Sequence, residues 1–246
     1  MEMLLNHGDR GSLWLALVTH FMALASAVML LVWCFCFRGG FAFSSKELIF
    51  NLHPLLMLLG LIISEGQALV MRRTFSSTYM SHKRKLLMKV MHMVVHTVAL
   101  ALGITGICFA LAYHIETGTM NMYSLHSWLG AMVILLFAFQ WMHGVLALLY
   151  PGALSRLRSG SSHGCQVKFG LSIFILAIGT AVLGFVQKLT SLESSGLPKS
   201  SSEALLVNFT AVATMLYGIF VVLVTIRPLP QTEEYFCGYA PLISQC

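Results

Sequence analysis

Charged residues are scarce in this sequence. Only 10% of its 246 residues are Asp, Glu, Lys or Arg, whereas 57% are hydrophobic and the mean hydropathy is +0.81. A soluble domain carries about 25% charged residues, so this composition excludes a soluble globular protein. The sequence also lacks a polar stretch long enough for a separate soluble domain, because apolar runs occupy nearly the whole chain.

Six apolar runs predict six transmembrane helices in one all-α integral membrane domain over residues 1–246. Each run has about the 20 residues that a helix rising 1.5 Å per residue needs to cross the hydrocarbon. The predicted helices cover residues 13–37, 48–71, 86–113, 127–150, 165–187 and 204–226. The first run has no clear cleavage site and is expected to act as a signal anchor. Residues 227–246 are expected to form a disordered cytosolic tail.

Acidic residues are absent from two of the loops, and this absence predicts the orientation in the membrane. The loops between runs two and three and between runs four and five carry only basic charges. These charges are Arg72, Arg73, Lys83, Arg84, Lys85, Lys89, Arg156, Arg158 and Lys168. By the positive-inside rule both loops are cytosolic, and six spans then place both termini in the cytosol. The pI near 9.1 therefore indicates topology, and no nucleic-acid partner is expected.

Several kinds of site are missing from the sequence. The predicted non-cytosolic loops contain no cysteine, so structural disulfides are not expected. There is no phosphate-binding glycine loop, no Ser-His-Asp arrangement and no convincing internal repeat. The histidines are therefore the strongest candidates for chemistry.

Four of the ten histidines, His53, His92, His126 and His163, lie near the starts of four successive apolar runs. An imidazole in hydrocarbon is costly unless it is paired or bound, and neutral imidazole is a common axial ligand of haem iron. Because successive spans enter from opposite sides, His53 and His126 share the non-cytosolic depth, and His92 and His163 share the cytosolic depth. The two pairs predict two haems within about 27 Å of each other along the helix axes, a layout that carries electrons across a membrane. His96, one turn after His92, is expected to be a packing or haem-edge residue.

Several motifs give the chain a resemblance to the cytochrome b561 family. The most specific is YSLHSWLG at residues 123–130, which contains His126. It is accompanied by RGGF at 38–41, FNLHP at 50–54, LVMR at 69–72, KVMH at 89–92, FAFQW at 137–141, YPG at 150–152, GTAVLG at 179–184 and EALLVN at 203–208. Together these motifs cover the chain in order from residue 38 to about residue 225.

This resemblance implies a protein of six helices, whose central four bundle around two b-type haems. It also implies a transmembrane ferrireductase or monodehydroascorbate reductase. Cytosolic ascorbate would reduce the first haem, and the second would pass the electron to monodehydroascorbate or ferric iron. The motifs are most similar to those of the ascorbate-dependent members in vacuoles, lysosomes and secretory vesicles, so an endomembrane location is expected.

The fifth helix departs from the family pattern. Relatives carry the haem ligand four residues before the glycine that corresponds to Gly170, and that position here is Gln166. His163 lies three residues earlier on nearly the same helical face, since three residues rotate by about 300°. We expect His163 to be the ligand. The alternatives are His143, in the cytosolic part of run four, and a defective or absent cytosolic haem site.

Cations at the cytosolic helix ends are candidates for binding ascorbate, which is a monoanion at neutral pH. They are Arg72, Lys85, Lys89 and Arg158, and Lys89 matches the family pattern most closely. The alternative is that they only anchor the helices at the membrane surface.

On the non-cytosolic side, His114, Asn121 and Tyr123 are candidates for a polar mouth beside the outer haem. His114 resembles a position that meets the electron acceptor in plant relatives. The alternative is an ordinary histidine at the end of a span.

Two other functions stay open at this stage. A b-type haem carrier that uses a quinol or a protein partner predicts slow reduction by ascorbate despite full haem loading. A haem-free transport or scaffold protein predicts no Soret absorbance. Membrane lipid is an expected partner, and a homodimer is left open.

Overall fold

The structure is a computed structural model that describes residues 7–43, 45–74, 81–150 and 162–227. All regular structure in these ranges is helical. Six of the helices are long and apolar enough to cross a membrane: Leu13–Phe37, Lys46–Met71, Leu86–Thr117, Leu125–Leu149, Gln166–Ser194 and Ser202–Ile226. We call them the first to sixth spans. The prediction of an all-α protein with six membrane-spanning helices is confirmed.

Two of the spans contain π-helical segments, which are common near functional sites. The first span is built from His7–Val32 and the π-helix Trp33–Phe37. The second is built from Lys46–Phe50, Leu52–Met57, the π-helix Leu58–Ser64 and Glu65–Thr74. The other four helices are His82–Thr117, Leu125–Leu149, Ser162–Ser194 and Ser202–Ile226.

The predicted helix ends differ from the structure where polar residues continue a helix beyond its apolar run. The third helix ends at Thr117 rather than at residue 113, because Gly118 takes the left-handed conformation, with a φ of 67°, that terminates a helix. The fifth helix covers Ser162–Ser194, longer at both ends than the predicted 165–187. The predicted tail lies outside the described residues except for Arg227.

Serines begin two of the spans. The Ser124 hydroxyl accepts a hydrogen bond from the Ser127 amide, and the Ser201 hydroxyl accepts one from the Ala204 amide at 3.2 Å. Each bond satisfies a first-turn amide that has no partner within the helix. These caps fix where the fourth and sixth spans start, and therefore fix the depth of side chains in their first turns.

The second to fifth spans form a closed ring of four packed helices. The second packs against the third, the third against the fourth, the fourth against the fifth, and the fifth against the second. The sixth span lies outside this ring against the second and fifth, and the first packs mainly on the sixth. This arrangement confirms the predicted central four-helix bundle. We call the end where the second, fourth and sixth spans begin the upper end, and the opposite end the lower end.

At the upper end, polar contacts tie the first, second and sixth spans together. Arg38 forms an ion pair with Glu203, whose Oε1 also accepts a hydrogen bond from Trp33 Nε1 at 2.9 Å. The Asn51 amide is buried and donates to the backbone carbonyl of Gly40 at 2.8 Å. These contacts hold the start of the second span, which belongs to the central bundle, against the two outer helices.

Candidate functional site

A cavity of about 360 Å³ lies within the upper half of the bundle. Side chains from all six spans line it, and most of its lining is apolar. His53 from the second span and His126 from the fourth span both lie in its wall. The cavity thus brings together two histidines that the sequence predicts to share one depth.

Backbone carbonyls orient both of these imidazoles. His53 Nδ1 lies 2.9 Å from the carbonyl oxygen of Gly106, and His126 Nδ1 lies 2.9 Å from that of Thr180. A carbonyl can only accept, so each Nδ1 carries the proton and each Nε2 keeps a lone pair. A hydrogen bond from the second ring nitrogen to a carbonyl is the usual support of a metal-bound histidine.

The spacing of the two rings fits one metal ion between them. The ring centroids of His53 and His126 are 6.3 Å apart, and the rings are nearly perpendicular at 84°. A metal–nitrogen bond is about 2 Å long and the nitrogen lies about 1 Å from its ring centroid, so two axial imidazoles require roughly 6 Å. The donor set, its spacing and the apolar cavity around it therefore fit a haem with two histidine ligands.

Gly184 leaves the space that the His126 ring fills. A Cβ atom at Gly184 would lie 2.7 Å from Cε1 of His126, closer than real contacts allow. Gly179, five residues earlier on the same helix, has nothing within 4 Å of the corresponding position. Glycine at position 184 is therefore required by the imidazole of a neighbouring span.

Polar side chains form the mouth of this cavity. His114 Nδ1 lies 2.8 Å from Asn121 Oδ1, and Gln187 Nε2 donates to the Tyr123 hydroxyl at 2.7 Å. Gln187 Oε1 in turn accepts from the Ser124 hydroxyl at 2.9 Å. The structure thus places all three residues predicted for the acceptor side, His114, Asn121 and Tyr123, around one opening.

Sequence reasoning missed Lys188, which also lines the cavity. Its ammonium nitrogen lies 4.6 Å from the ring centroid of Phe50. The sequence contained one indication that Lys188 could belong to this site. Lys188 follows Gly184 by four residues and therefore faces the same side of the helix. The carbonyls of Gly106 and Thr180 were missed as well, and no local pattern in the sequence marks them.

At the lower end, His92 lies beside His96. Their Nε2 atoms are 3.1 Å apart, and their ring centroids are 4.3 Å apart. The His96 ring also lies 5.4 Å from that of Phe137, centroid to centroid. His96 is therefore part of the immediate surroundings of His92, as expected for a packing residue one turn away.

Three other residues were considered for the lower site, and the structure describes the side chains of two of them, His143 and Gln166. His163 belongs to the helix Ser162–Ser194, but its side chain lies outside the described part. The side chain of His143 on the fourth span is exposed, which argues against a role as a ligand in the bundle. Gln166 is half-buried one turn before Gly170.

Of the four cations predicted to bind ascorbate, only Lys89 has a described side chain. It is exposed on the third helix, three residues before His92. Arg72 and Lys85 lie in described helices but their side chains do not, and Arg158 lies outside the described residues. The placement of Lys89 fits a cationic surface at the lower end.

The vertical separation of the two predicted sites follows from the third helix. His92 lies on this helix, and the Gly106 carbonyl that accepts from His53 lies 14 residues further along it. Fourteen residues correspond to a rise of about 21 Å. This is shorter than the roughly 27 Å expected from the sequence, which corresponds to about 18 residues, because His53 lies beside Gly106, four residues short of that level.

No group of three or more potential metal ligands occurs in the described ranges, so the histidine pairs are the candidate ligands there. Six membrane-spanning helices, a central ring of four and an imidazole pair lining a mostly apolar cavity are the features of a multi-pass membrane cytochrome.

Comparisons with known proteins identify the family. The model of the eukaryotic cytochrome b561 family matches residues 52–192. Transmembrane ascorbate ferrireductase 1 of Arabidopsis thaliana is 46% identical over 208 residues, which are 84% of this chain and 84% of that protein. Ascorbate-specific transmembrane electron transporter 2 of Zea mays is 44% identical over 225 residues, 91% of this chain and 92% of its own length. The chain therefore belongs to the cytochrome b561 family, whose members are haem b-binding membrane oxidoreductases.

Proposed function

We propose that this protein transfers electrons across a membrane, from ascorbate at the lower end to an acceptor at the upper end, through two haem b groups. The observation that carries this proposal is the His53–His126 pair, in which both Nδ1 protons are held by carbonyls and both rings line one cavity. The acceptor would be monodehydroascorbate or a ferric chelate. The haems would supply the one-electron chemistry.

The upper haem would be held by His53 and His126, and the lower one by His92 and His163. At the lower site the hydrogen bond between Nε2 of His92 and Nε2 of His96 would have to be replaced by iron ligation at His92. His96 would then remain as a neighbour at the haem edge. The rise of about 21 Å between the two levels is shorter than the bundle and leaves room for one haem at each level.

The lower end suits an anionic donor. Ascorbate is a monoanion, and Lys89 presents an exposed ammonium one turn from His92. Arg72, Lys85 and Arg158 would complete the cationic surface. The two relatives named above are called an ascorbate ferrireductase and an ascorbate-specific electron transporter, which supports the same donor here.

The upper end suits a small polar acceptor. His114 and Asn121 are joined by one hydrogen bond, and Tyr123 and Gln187 by another, so each pair keeps further polar atoms for an incoming molecule. Because these groups line the same cavity as His53 and His126, an acceptor bound among them would be close to the upper haem edge.

By the positive-inside rule, the basic loops support a cytosolic lower end, and six spans would then put both termini on that side. The upper end would then face the lumen of an endomembrane compartment such as a vacuole, lysosome or secretory vesicle. Carrying electrons from cytosolic ascorbate into such a lumen would regenerate luminal ascorbate or reduce luminal iron.

An absorbance spectrum of the detergent-purified protein, with haem quantified per chain, tests the proposal. We expect two haems b per chain, both reduced within seconds by ascorbate. A fully loaded protein that ascorbate reduces only slowly, while a quinol reduces it quickly, would contradict ascorbate as donor. Purified protein without Soret absorbance would contradict the electron-transfer function altogether.

A further inference from the structure

Lys188 is a cation within a membrane span. It lies six residues before the end of the fifth span, about 9 Å from that end along the helix axis, and it is half-buried. A lysine at such a depth is costly unless it faces a polar interior or a partner. Its side chain faces the cavity of the histidine pair rather than lipid.

Aromatic rings surround the ammonium group. Its nitrogen lies 4.6 Å from the ring centroid of Phe50 and 5.9 Å from that of Trp33. Cation–π contacts of this kind stabilise a positive charge, but they accept none of the three N–H donors of an ammonium in a conventional hydrogen bond. The ammonium of Lys188 therefore contacts aromatic rings, and its N–H donors remain available for a hydrogen-bond acceptor.

Neighbouring acceptors are already engaged. The Glu203 carboxylate accepts a hydrogen bond from Trp33 Nε1 and forms an ion pair with Arg38. Among the described residues, Arg38–Glu203 is the one ion pair. The side chain of Gln187 bonds to both Ser124 and Tyr123. Lys188 consequently makes no ion pair and no hydrogen bond through its ammonium with any described residue.

The ammonium lies about one turn above the histidine pair. The ammonium lies over the ring of Phe50. Phe50 precedes His53 by three residues, and the ring centroids of Phe50 and His53 are 5.8 Å apart. On the fifth span, Lys188 follows by four residues the glycine that packs against the His126 ring. The positions on the second and fifth spans therefore both put the ammonium of Lys188 nearer the upper end than the two imidazoles.

This position is where the anionic edge of a haem held by His53 and His126 would need a cation. Haem b carries propionate carboxylates along one edge, and a carboxylate in an apolar cavity is costly unless it is paired and hydrogen-bonded. We propose that Lys188 binds a propionate carboxylate of the upper haem and raises the midpoint potential of that haem. The inference rests on the proposed function, since it requires a haem in the upper cavity.

The sign of the effect follows from electrostatics. Reduction adds one electron, and a nearby positive charge lowers the free energy of the reduced state relative to the oxidised state. Lys188→Met keeps the length and most of the bulk of the side chain but removes the charge. We therefore expect the upper haem of this variant to be about tenfold harder to reduce, a fall of about 59 mV in its one-electron midpoint potential.

The test is a redox titration of the full-length protein, combined with resonance Raman spectra of the propionate bending modes. The upper haem is identified as the component lost in His53→Ala. Lys188→Met should lower the midpoint potential of this component and shift its propionate band, whereas Lys188→Arg should restore both. Lys199→Met is the matched control, because Lys199 is an exposed lysine near the same end, and it should change neither.

Two outcomes would overturn the proposal. In the first, the midpoint potential and the propionate band of Lys188→Met both match those of the native protein. In the second, only the KM for an anionic acceptor rises, which would assign the ammonium to acceptor binding instead. Either result is distinguishable from failure of the proposed function, because the titration requires only that the protein contains haem, and reduction of the native protein by ascorbate is measured separately.

Discussion

His53 and His126 face each other across one cavity with their ring centroids 6.3 Å apart, although one begins the second span and the other the fourth. Each ring is fixed by a carbonyl of a third helix, Gly106 on the third span for His53 and Thr180 on the fifth for His126. All four helices of the central ring thus contribute to the orientation of this pair.

Loss of either upper ligand should remove one haem. We expect His53→Ala and His126→Ala each to bind about one haem per chain instead of two, because a single imidazole leaves one axial position empty. The double variant should lose no more than either single variant, since both ligands serve one site. Haem quantified per chain measures this.

His20→Ala is the control for this pair, because His20 is exposed on the first span away from the cavity. It should retain both haems. Full haem content in both His53→Ala and His126→Ala would reject the assignment of the upper site.

A methyl group at Gly184 should disturb the same site without touching a ligand. Gly184→Ala would place its Cβ 2.7 Å from His126 Cε1 in the present arrangement, so the ring or the helix must shift. Overpacking of this kind costs about 1–3 kcal/mol. We expect a lower haem content at the upper site and a lower thermal midpoint, measured by absorbance during heating.

Gly179→Ala provides the comparison on the same helix, because the added Cβ meets nothing within 4 Å. It should leave haem content unchanged and should, if anything, favour the helix. Equal behaviour of the two alanine variants would mean that the close approach of Gly184 to His126 has no functional consequence.

The lower ligand can be identified by comparing three positions on two helices. We expect His163→Ala to remove the lower haem, whereas His143→Ala and Gln166→Ala should retain it. The side chain of His143 is exposed, and an amide is a poor ligand for haem iron. Haem stoichiometry and the absorbance of the ascorbate-reduced protein measure the loss.

Gln166→His distinguishes a working site from a defective one. If the native lower site is complete, this variant should bind two haems like the native protein. A native protein with one haem that gains a second in Gln166→His would show that the site is defective and that His163 does not ligate. Two haems in His163→Ala would also exclude His163.

Lys89→Ala should slow reduction by ascorbate while leaving the oxidised spectrum unchanged. Combined replacement of Lys85 and Arg158 should slow it further, on the order of tenfold, because each cation raises the local concentration of the anionic donor.

The rate for the native protein should fall as salt is added, since screening weakens attraction between exposed charges. Stopped-flow absorbance measures these rates, and a neutral reductant should be unaffected. Unchanged rates in every variant would leave these cations with a topological role alone.

Tyr123→Phe should weaken acceptor binding at the upper end. It removes the hydroxyl that accepts from Gln187 at 2.7 Å and that would also bond to the acceptor. The net value of one bond to the acceptor is about 1 kcal/mol, or roughly fivefold in KM. Reduction of the haems by ascorbate should not change. Tyr150→Phe, an exposed tyrosine at the lower end, is the control. A KM equal to that of the native protein would place acceptor binding elsewhere.

The spacing of Lys188 from Gly184 was a signal in the sequence. That this face of the fifth span lines the cavity and packs against His126 could not be predicted from it. The six spans follow from run length and hydropathy, and the shared depth of His53 and His126 follows from alternation of direction, so both could be predicted. His143 was a plausible rival on sequence alone, because helical angle cannot tell which face of an isolated span meets its neighbours.

The sequence by itself determined which segments are long and apolar enough to span a membrane, that His53 and His126 lie near the starts of spans that begin at the same end, and which family the chain belongs to. These properties depend on composition and spacing along single helices. Only the tertiary structure decided which carbonyls hold the imidazoles, why Gly184 must lack a side chain and where the charge of Lys188 lies. Each of these depends on atoms from two or more spans, and their distances are set by how the helices pack against one another.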